Sequence, residues 1–200
     1  HCDDIEIGAG GTLLTLADRP GGIQFGAYIA TSTPQRAAES QASLRAFAGS
    51  DDITIHVAEL RDTRLPGHFD ALKDSLAGLA SEQWDVILTP HADDAHQDHA
   101  ILGQLAPTAF RDHLILRYEI PKWDGDLGSL RPNLYVPLTP EQIARKWDLL
   151  NEHYPSQRGR DWWDYETLSG LARLRGMETR SRFAEAFRVD KMVLRPDSRS

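Results

Sequence analysis

Two short clusters of histidine and acidic residues, far apart in the sequence, carry side chains suited to binding a metal ion. The first contains His1 and Asp4, and the second ends with His96 and His99. Zinc readily binds histidine nitrogens and carboxylate oxygens, and a catalytic zinc keeps three protein ligands and one open position. Spacings of three residues place both members of each pair on one face of a helical turn. A His/Asp/His ligand set therefore forms if the two clusters meet in space.

Asp3, beside the candidate ligand Asp4, is placed to act as a base. Bound zinc lowers the pKa of its water to roughly 7, and a nearby carboxylate can take the proton. The alternative is structural, because paired aspartates more often cap helices or form turns. Three of the eight histidines fall within residues 91–99, and this concentration favours the metal site.

The two clusters resemble the paired signatures of the PIG-L/LmbE family of zinc-dependent N-deacetylases. The first signature, His-Pro-Asp-Asp-x-Glu followed by a glycine-rich segment and Thr-Leu, is similar to residues 1–13. The second signature, His-x-Asp-His, is present at residues 96–99, and residues 184–188 resemble the family's C-terminal strand. Cys2 stands where proline is usual. A cysteine is soft enough to bind zinc, but we expect Cys2 to pack against the sheet.

The resemblance implies a role for each matching residue. His1, Asp4 and His99 would bind zinc, although iron, cobalt or manganese suit the same ligands. Asp3 would be the general base that activates the water molecule. His96 would stabilise the tetrahedral oxyanion or protonate the leaving amine.

Other residues would support these groups or contact the substrate. Asp98 would orient a histidine, as acidic neighbours of metal ligands often do, and Arg61 and Asp62 lie where the family often places a substrate loop. Trp123 belongs to a polar, aromatic segment, which is suited to stacking on a sugar ring or forms an ordered surface loop.

The resemblance implies a metal-dependent hydrolase that removes an N-acetyl group from an amino sugar and releases acetate and a free amine. The sugar would be free or carried on a nucleotide or a lipid. Two alternatives stay open. One is a zinc amidohydrolase acting on a non-sugar amide, and the other is a non-catalytic sugar-binding relative.

Strand-like and helix-like segments alternate along the chain, which predicts an α/β fold with a mostly parallel sheet. With the resemblance, this implies a three-layer Rossmann-like, LmbE-like architecture. The glycine-rich residues 8–11 suggest a tight turn and close helix packing, and residues 121–137 a long loop. The strands are expected at residues 25–31, 53–57, 86–88, 114–120 and 183–189, and the helices at 34–47, 69–79, 96–110, 140–151 and 165–175, with Gly176 ending the last helix.

The chain length of 200 residues fits a single domain. Because functional residues of open α/β sheets follow the carboxyl ends of strands, a strand is expected to precede His1. Without it, a central slot in the sheet would be empty.

Composition narrows the classes of partner. The net charge of -8 argues against a general nucleic-acid binder, and the arginines of residues 173–182 form a solvated face or a site for a phosphorylated or nucleotide-linked substrate. No apolar run approaches the ~20 residues of a membrane span. A single cysteine forms no internal disulfide, which suggests the cytoplasm. The sequence leaves oligomeric state open, a homo-oligomer included.

Overall fold

The computed structural model describes residues 1–20, 23–121 and 130–193. Helices and strands alternate through most of this part of the chain, as the sequence predicts. The helices are α1 (Asp4–Ala17), α2 (Pro34–Ala48), α3 (Phe69–Leu79), α4 (Gln97–Ala109), α5 (Pro140–His153) and α6 (Tyr165–Thr179). The strands are β1 (Gly26–Thr31), β2 (Thr54–Leu60), β3 (Val86–Pro90), β4 (Leu114–Tyr118), β5 (Leu134–Leu138) and β6 (Phe183–Arg188).

Capping residues set the predicted helix starts. The Thr33 hydroxyl accepts from the Arg36 backbone N–H (3.4 Å), and proline follows at the first helical position of α2. At α5, Thr139 and Gln142 form a reciprocal capping box, again with proline next. Both predicted starts are confirmed.

The predicted tight turn at residues 8–11 is wrong, because these glycines lie inside α1. The expected close packing is confirmed. A Cβ on Gly8 would lie 2.9 Å from the backbone oxygen of Glu119, and one on Gly10 would lie 2.7 Å from the Phe47 ring. Glycine is therefore used here for close approach within a helix, despite its low helix propensity.

Two further expectations need correction. Gly176 does not end α6, which continues to Thr179 and is followed by Arg180 in the left-handed region (φ 59°). Gly176 instead allows the helix to approach the backbone of Arg182, whose oxygen would lie 2.7 Å from an added Cβ. The expected loop at residues 121–137 contains the start of β5, which pairs with β6.

The strands form two groups, one with the order β1-β2 and the other with the order β3-β4-β6-β5. The pairs β1–β2 and β3–β4 are parallel, whereas β6 runs antiparallel to both β4 and β5. The parallel strands are joined by helical crossovers. Functional residues of such folds follow the carboxyl ends of the strands, and the two histidine-acid clusters lie near the carboxyl ends of β1 and β3.

Helices cover both faces of the strands and confirm the layered α/β fold. One apolar cluster joins α1, α2 and the end of α5 to the strands, and includes Leu14, Phe47 and Leu150. A second cluster joins α3 and α4 to the opposite face, and includes Leu72 and Leu105. Among the described residues, no helix has the length and apolar character needed to cross a membrane.

Candidate metal centre

The two histidine-acid clusters meet at the carboxyl ends of β1 and β3. Residues 1–3 lead directly into α1, and residues 91–96 connect β3 to α4. The loop after β2, residues 61–64, approaches the same place. Three connections that are distant in sequence therefore contribute side chains to one site.

His1, Asp4 and His99 bring one donor atom each to a common point. His1 Nδ1 lies 2.9 Å from Asp4 Oδ2 and 3.0 Å from His99 Nε2, and His99 Nε2 lies 3.0 Å from Asp4 Oδ2. Donors held at 2.0–2.2 Å around a tetrahedral zinc are about 3.3 Å apart. This compact triangle of two imidazole nitrogens and one carboxylate oxygen fits a divalent cation after a small outward movement.

Asp94 fixes the orientation of His99 and was not assigned a role from the sequence. Its Oδ2 lies 2.9 Å from His99 Nδ1, and the His99 side chain is buried. A proton shared on that side leaves Nε2 as the atom with the lone pair, which is the form a metal ligand needs. Asp94 lies five residues before His99 in the sequence, and this short separation could have indicated the contact.

His96 lies beside the triangle. Its ring centroid is 4.8 Å from that of His1 and 4.6 Å from that of His99. As the N-cap of α4, His96 accepts at Nδ1 from the Asp98 backbone N–H (3.2 Å). With Nδ1 accepting, the proton of the neutral ring is on Nε2, so His96 can donate to a substrate oxygen or nitrogen.

Asp3 occupies a strained backbone position, with φ 86°. Left-handed backbone costs roughly 1–2 kcal/mol for most L-residues, and less for aspartate. The buried carboxylate accepts from Arg36, whose Nη2 lies 2.9 Å from Asp3 Oδ2 and 2.7 Å from the Cys2 carbonyl oxygen. Arg36, on α2, was missed because no sequence motif links it to Asp3.

Asp98 is fully buried and joins α4 to the loop after β2. Its Oδ2 accepts from the Thr63 N–H (2.7 Å) and lies 3.3 Å from His1 Nε2, and its Oδ1 accepts from the Leu65 N–H (3.0 Å). Burial alone raises the pKa of Asp98, but the hydrogen bonds from His1 and these amides bring it below its usual value. The predicted contact between Asp98 and a histidine is present in the structure.

The structure separates the three predicted substrate residues. Asp62 Oδ1 lies 2.9 Å from His1 Nε2, while 69% of its side chain is exposed. The hydrogen bond to His1 lowers the pKa of Asp62 to about 2, against the opposing effect of partial burial. Arg61 is exposed. Trp123 lies outside the described residues.

The acidic surroundings favour a positive charge at the site. Burial alone lowers the pKa of His1, but Asp4, Asp62 and Asp98 together raise it to about 12. The same carboxylates would attract a metal cation in place of the ring proton.

Cys2 packs as expected and does not join these donors. It is 2% exposed, and its Sγ lies 3.8 Å from the Thr31 carbonyl oxygen. Burial raises the pKa of the Cys2 thiol to about 11, which disfavours the thiolate needed to bind a metal.

Comparisons with known proteins agree on the family. The family model PIG-L, described as GlcNAc-PI de-N-acetylase, matches residues 1–110. The uncharacterized deacetylase YaiS of Escherichia coli K12 is 28% identical over 165 residues, covering 76% of this chain and 86% of YaiS.

Solved structures share the fold. An N,N'-diacetylchitobiose deacetylase from Pyrococcus horikoshii, complexed with the inhibitor MPG, has a TM-score of 0.72 and 24% identity, over 94% of this chain and 80% of its own. GalB, the 4-carboxy-2-hydroxymuconate hydratase of Pseudomonas putida KT2440, has a TM-score of 0.74 and 13% identity, over 98% and 95% of the two chains. At these identities the likeness establishes the architecture alone.

Proposed function

From the premise that the chain belongs to the PIG-L family of deacetylases, we propose that it is a metal-dependent hydrolase that removes the acetyl group from an N-acetylated amino sugar. The observation that carries the proposal is the triangle of donor atoms from His1, Asp4 and His99, with sides of 2.9 to 3.0 Å, next to the buried carboxylate of Asp3. Zinc is the metal we expect from two imidazoles and one carboxylate, and iron, cobalt or manganese are the alternatives.

A divalent cation bound by this triangle would polarise the acetamide carbonyl and lower the pKa of a water molecule. Asp3 accepts the proton of the attacking water, and Arg36 keeps its carboxylate in place. His96 donates a hydrogen bond from Nε2 to the developing oxyanion, and Asp3 returns the proton taken from water to the leaving nitrogen. Water adds to the carbonyl carbon and the C–N bond breaks, so the products are acetate and a free amine.

Two acidic residues hold the imidazole rings of His99 and His1 in position. Asp94 and Asp98 hold the rings of His99 and His1 through contacts of 2.9 and 3.3 Å. Asp98 also accepts from the backbone amides of Thr63 and Leu65. We therefore propose a positioning role for both acids.

The amino-sugar substrate is supported by the family description and by the activity named for the Pyrococcus relative. The exposed carboxylate of Asp62 at the rim is suited to accepting hydrogen bonds from sugar hydroxyls. Arg61 and Trp123 remain proposed substrate contacts, and the sugar is proposed to be free or linked to a nucleotide or a lipid. The free, buried Cys2 agrees with the cytoplasm as the proposed location.

The test is acetate release by the zinc-loaded protein from N-acetylglucosamine, N,N'-diacetylchitobiose, a nucleotide-linked N-acetylglucosamine and, as non-sugar amides, N-acetyl amino acids. At least one sugar should yield equal amounts of acetate and amine. Turnover of the N-acetyl amino acids alone would replace the sugar proposal with the non-sugar amidohydrolase. Zinc binding without any turnover would favour the non-catalytic relative.

The variant Asp3→Asn tests the base. Zinc content should stay near that of the unmodified chain, and turnover should fall about 10²–10⁴-fold. Asp112→Asn, an exposed acid in the loop after α4, is the matched control and should keep full turnover. Undiminished turnover by Asp3→Asn would remove Asp3 from the mechanism.

A further inference from the structure

The Arg36 guanidinium, which binds Asp3, is itself bound by the short turn that follows α5. Arg36 Nη1 donates to Ser156 Oγ (3.3 Å), while Nη2 donates to Asp3 Oδ2 (2.9 Å). Ser156 lies in the 3₁₀ turn Pro155–Gln157. Two segments that are far apart in the sequence therefore contact different nitrogens of one guanidinium.

Glu39, one turn after Arg36 on α2, fixes the direction of the Ser156 hydroxyl. Ser156 Oγ donates to Glu39 Oε2 (2.5 Å), and the Ser156 backbone N–H donates to Glu39 Oε1 (3.1 Å). A hydroxyl has one proton and two lone pairs. Because the proton is given to Glu39, the lone pairs accept from Arg36 Nη1 and from Gln157 Nε2 (3.3 Å each). Glu39 thus makes Ser156 an acceptor toward Arg36.

Tyr154 attaches the same turn to α1. Its ring packs against the Arg36 guanidinium, with 5.6 Å between Arg36 Cζ and the ring centroid, and its hydroxyl donates to Glu6 Oε1 (2.7 Å). Tyr154 and Glu6 are both 0% exposed. The turn is therefore fixed to α1 as well as to α2, and Arg36 lies between the two attachments.

These polar contacts give Arg36 a direction as well as a place. Glu39 is 9% exposed, and its Oε2 lies 4.0 Å from Arg36 Nε. Apolar residues often hold a fold as well as buried ion pairs do, so stability alone does not account for a buried acid here. The guanidinium is planar and its N–H groups have fixed directions. Contacts at Nε and Nη1 therefore set the direction in which Nη2 points, which is toward Asp3.

We propose that Glu39 and Ser156 are positioning residues that hold Arg36 and, through it, the base Asp3. The proposal rests on the proposed function, in which Asp3 takes a proton from water. Without the Ser156 hydroxyl or the Glu39 carboxylate, the guanidinium turns more freely and Asp3 loses its fixed partner. The effect falls on kcat, because the base is displaced while the metal ligands stay in place.

The first experiment measures kcat, KM and bound zinc for Ser156→Ala, both in the otherwise unmodified chain and together with Arg36→Met. In the unmodified chain kcat should fall about tenfold, as expected for one hydrogen bond, with KM and zinc content within about twofold. Together with Arg36→Met, the same change should lower kcat by less than about twofold, because the contact is already lost. Ser156→Thr keeps the hydroxyl and should restore most of kcat.

Two further variants complete the comparison. Ser75→Ala is the matched control, because Ser75 donates to the Ala71 carbonyl within α3 (2.9 Å), and it should keep full turnover. Glu39→Gln removes the negative charge and should lower kcat in the unmodified chain but not together with Arg36→Met. An equal fall of kcat in both backgrounds would overturn the proposal. A raised KM with unchanged kcat would also overturn it, since Ser156 would then bind substrate.

A measurement without turnover separates this proposal from the proposed function. Rotation of the Arg36 guanidinium is followed by nitrogen NMR of arginine-labelled protein, with Arg36→Met used to assign the signal. Rotation should be at least about tenfold faster in Ser156→Ala than in the unmodified chain or in Ser75→Ala. Equal rotation rates would overturn the proposal whatever the activity. A restrained Arg36 in a zinc-loaded chain without turnover would support the hold on Arg36 and overturn the proposed function.

Discussion

Replacing Arg36 with methionine should impair catalysis by releasing Asp3. The Arg36 guanidinium donates to Asp3 Oδ2 (2.9 Å), to the Cys2 carbonyl (2.7 Å) and to Ser156 Oγ (3.3 Å), and it lies over the Tyr154 ring. Because Asp3 already has a left-handed backbone, these contacts hold both the carboxylate and the turn that carries it. Methionine keeps much of the side-chain volume but makes none of the hydrogen bonds.

The size of the effect follows from the hydrogen bonds that methionine cannot make. A hydrogen bond to a charged group contributes roughly 1.5–3 kcal/mol, and the Arg36 side chain is 21% exposed, so water partly replaces it. We expect the free energy of unfolding to fall by about 2 kcal/mol. A displacement of about 1 Å in a catalytic group can cost about 10²-fold in rate, so kcat should fall by about that factor while KM changes little.

The assay measures kcat and KM for the best N-acetylated substrate, together with bound metal and the urea midpoint. Arg45→Met is the matched control, because Arg45 lies on the same helix and donates to the Gln41 carbonyl (3.2 Å). Arg36→Lys keeps the charge without the planar fork and should give an intermediate kcat. An unchanged kcat with a KM raised tenfold or more would refute the reasoning, since Arg36 would then bind substrate.

Three further predictions concern residues around the site and beneath it. Asp98→Ala should lower the free energy of unfolding by roughly 3 kcal/mol, measured by urea denaturation, because two backbone amides lose a buried carboxylate; full stability would contradict the role given to Asp98. Lys146 and Glu185 form a buried ion pair of 2.7 Å, so Glu185→Leu should cost about 3–5 kcal/mol, and adding Lys146→Met should cost less than the sum of the single changes. Additive costs would show that the pair is uncoupled. Cys2 is buried, and burial raises the pKa of its thiol to about 11. It should therefore react with iodoacetamide at pH 8 roughly a hundredfold more slowly in the native protein than in urea-unfolded protein. Rapid labelling of the native protein would show that the turn opens.

The sequence predicts those features that depend on residues close together in the chain, such as ligand spacing and helix capping. The spacing of His1 and Asp4, and of His96 and His99, indicates a shared site from the residues alone. Alternating apolar segments predict the α/β class, and the threonine-proline starts of α2 and α5 predict two helix boundaries. These features depend on neighbours within a few residues, so the chain itself displays them.

Features that depend on tertiary contact were not predictable. Helix α1 was not predicted, because Gly8, Gly10 and Gly11 lower the helix propensity of this segment. The neighbours packed against these glycines explain why they are there. Strand β5 lies in a proline-rich region and is stabilised by pairing with β6. Arg36 approaches Asp3 through the packing of α2 against α1, and no local pattern records that contact.

The zinc content of the chain and of two variants tests whether His1, Asp4 and His99 form a metal centre. The unmodified chain, dialysed against zinc and then metal-free buffer, should retain one zinc per chain, and His99→Ala and Asp4→Ala should each retain less than about a tenth of that amount. Circular dichroism and the urea midpoint would establish that both variants are folded. Stoichiometric zinc in these folded variants, or no zinc in the unmodified chain, would contradict a metal centre formed by His1, Asp4 and His99.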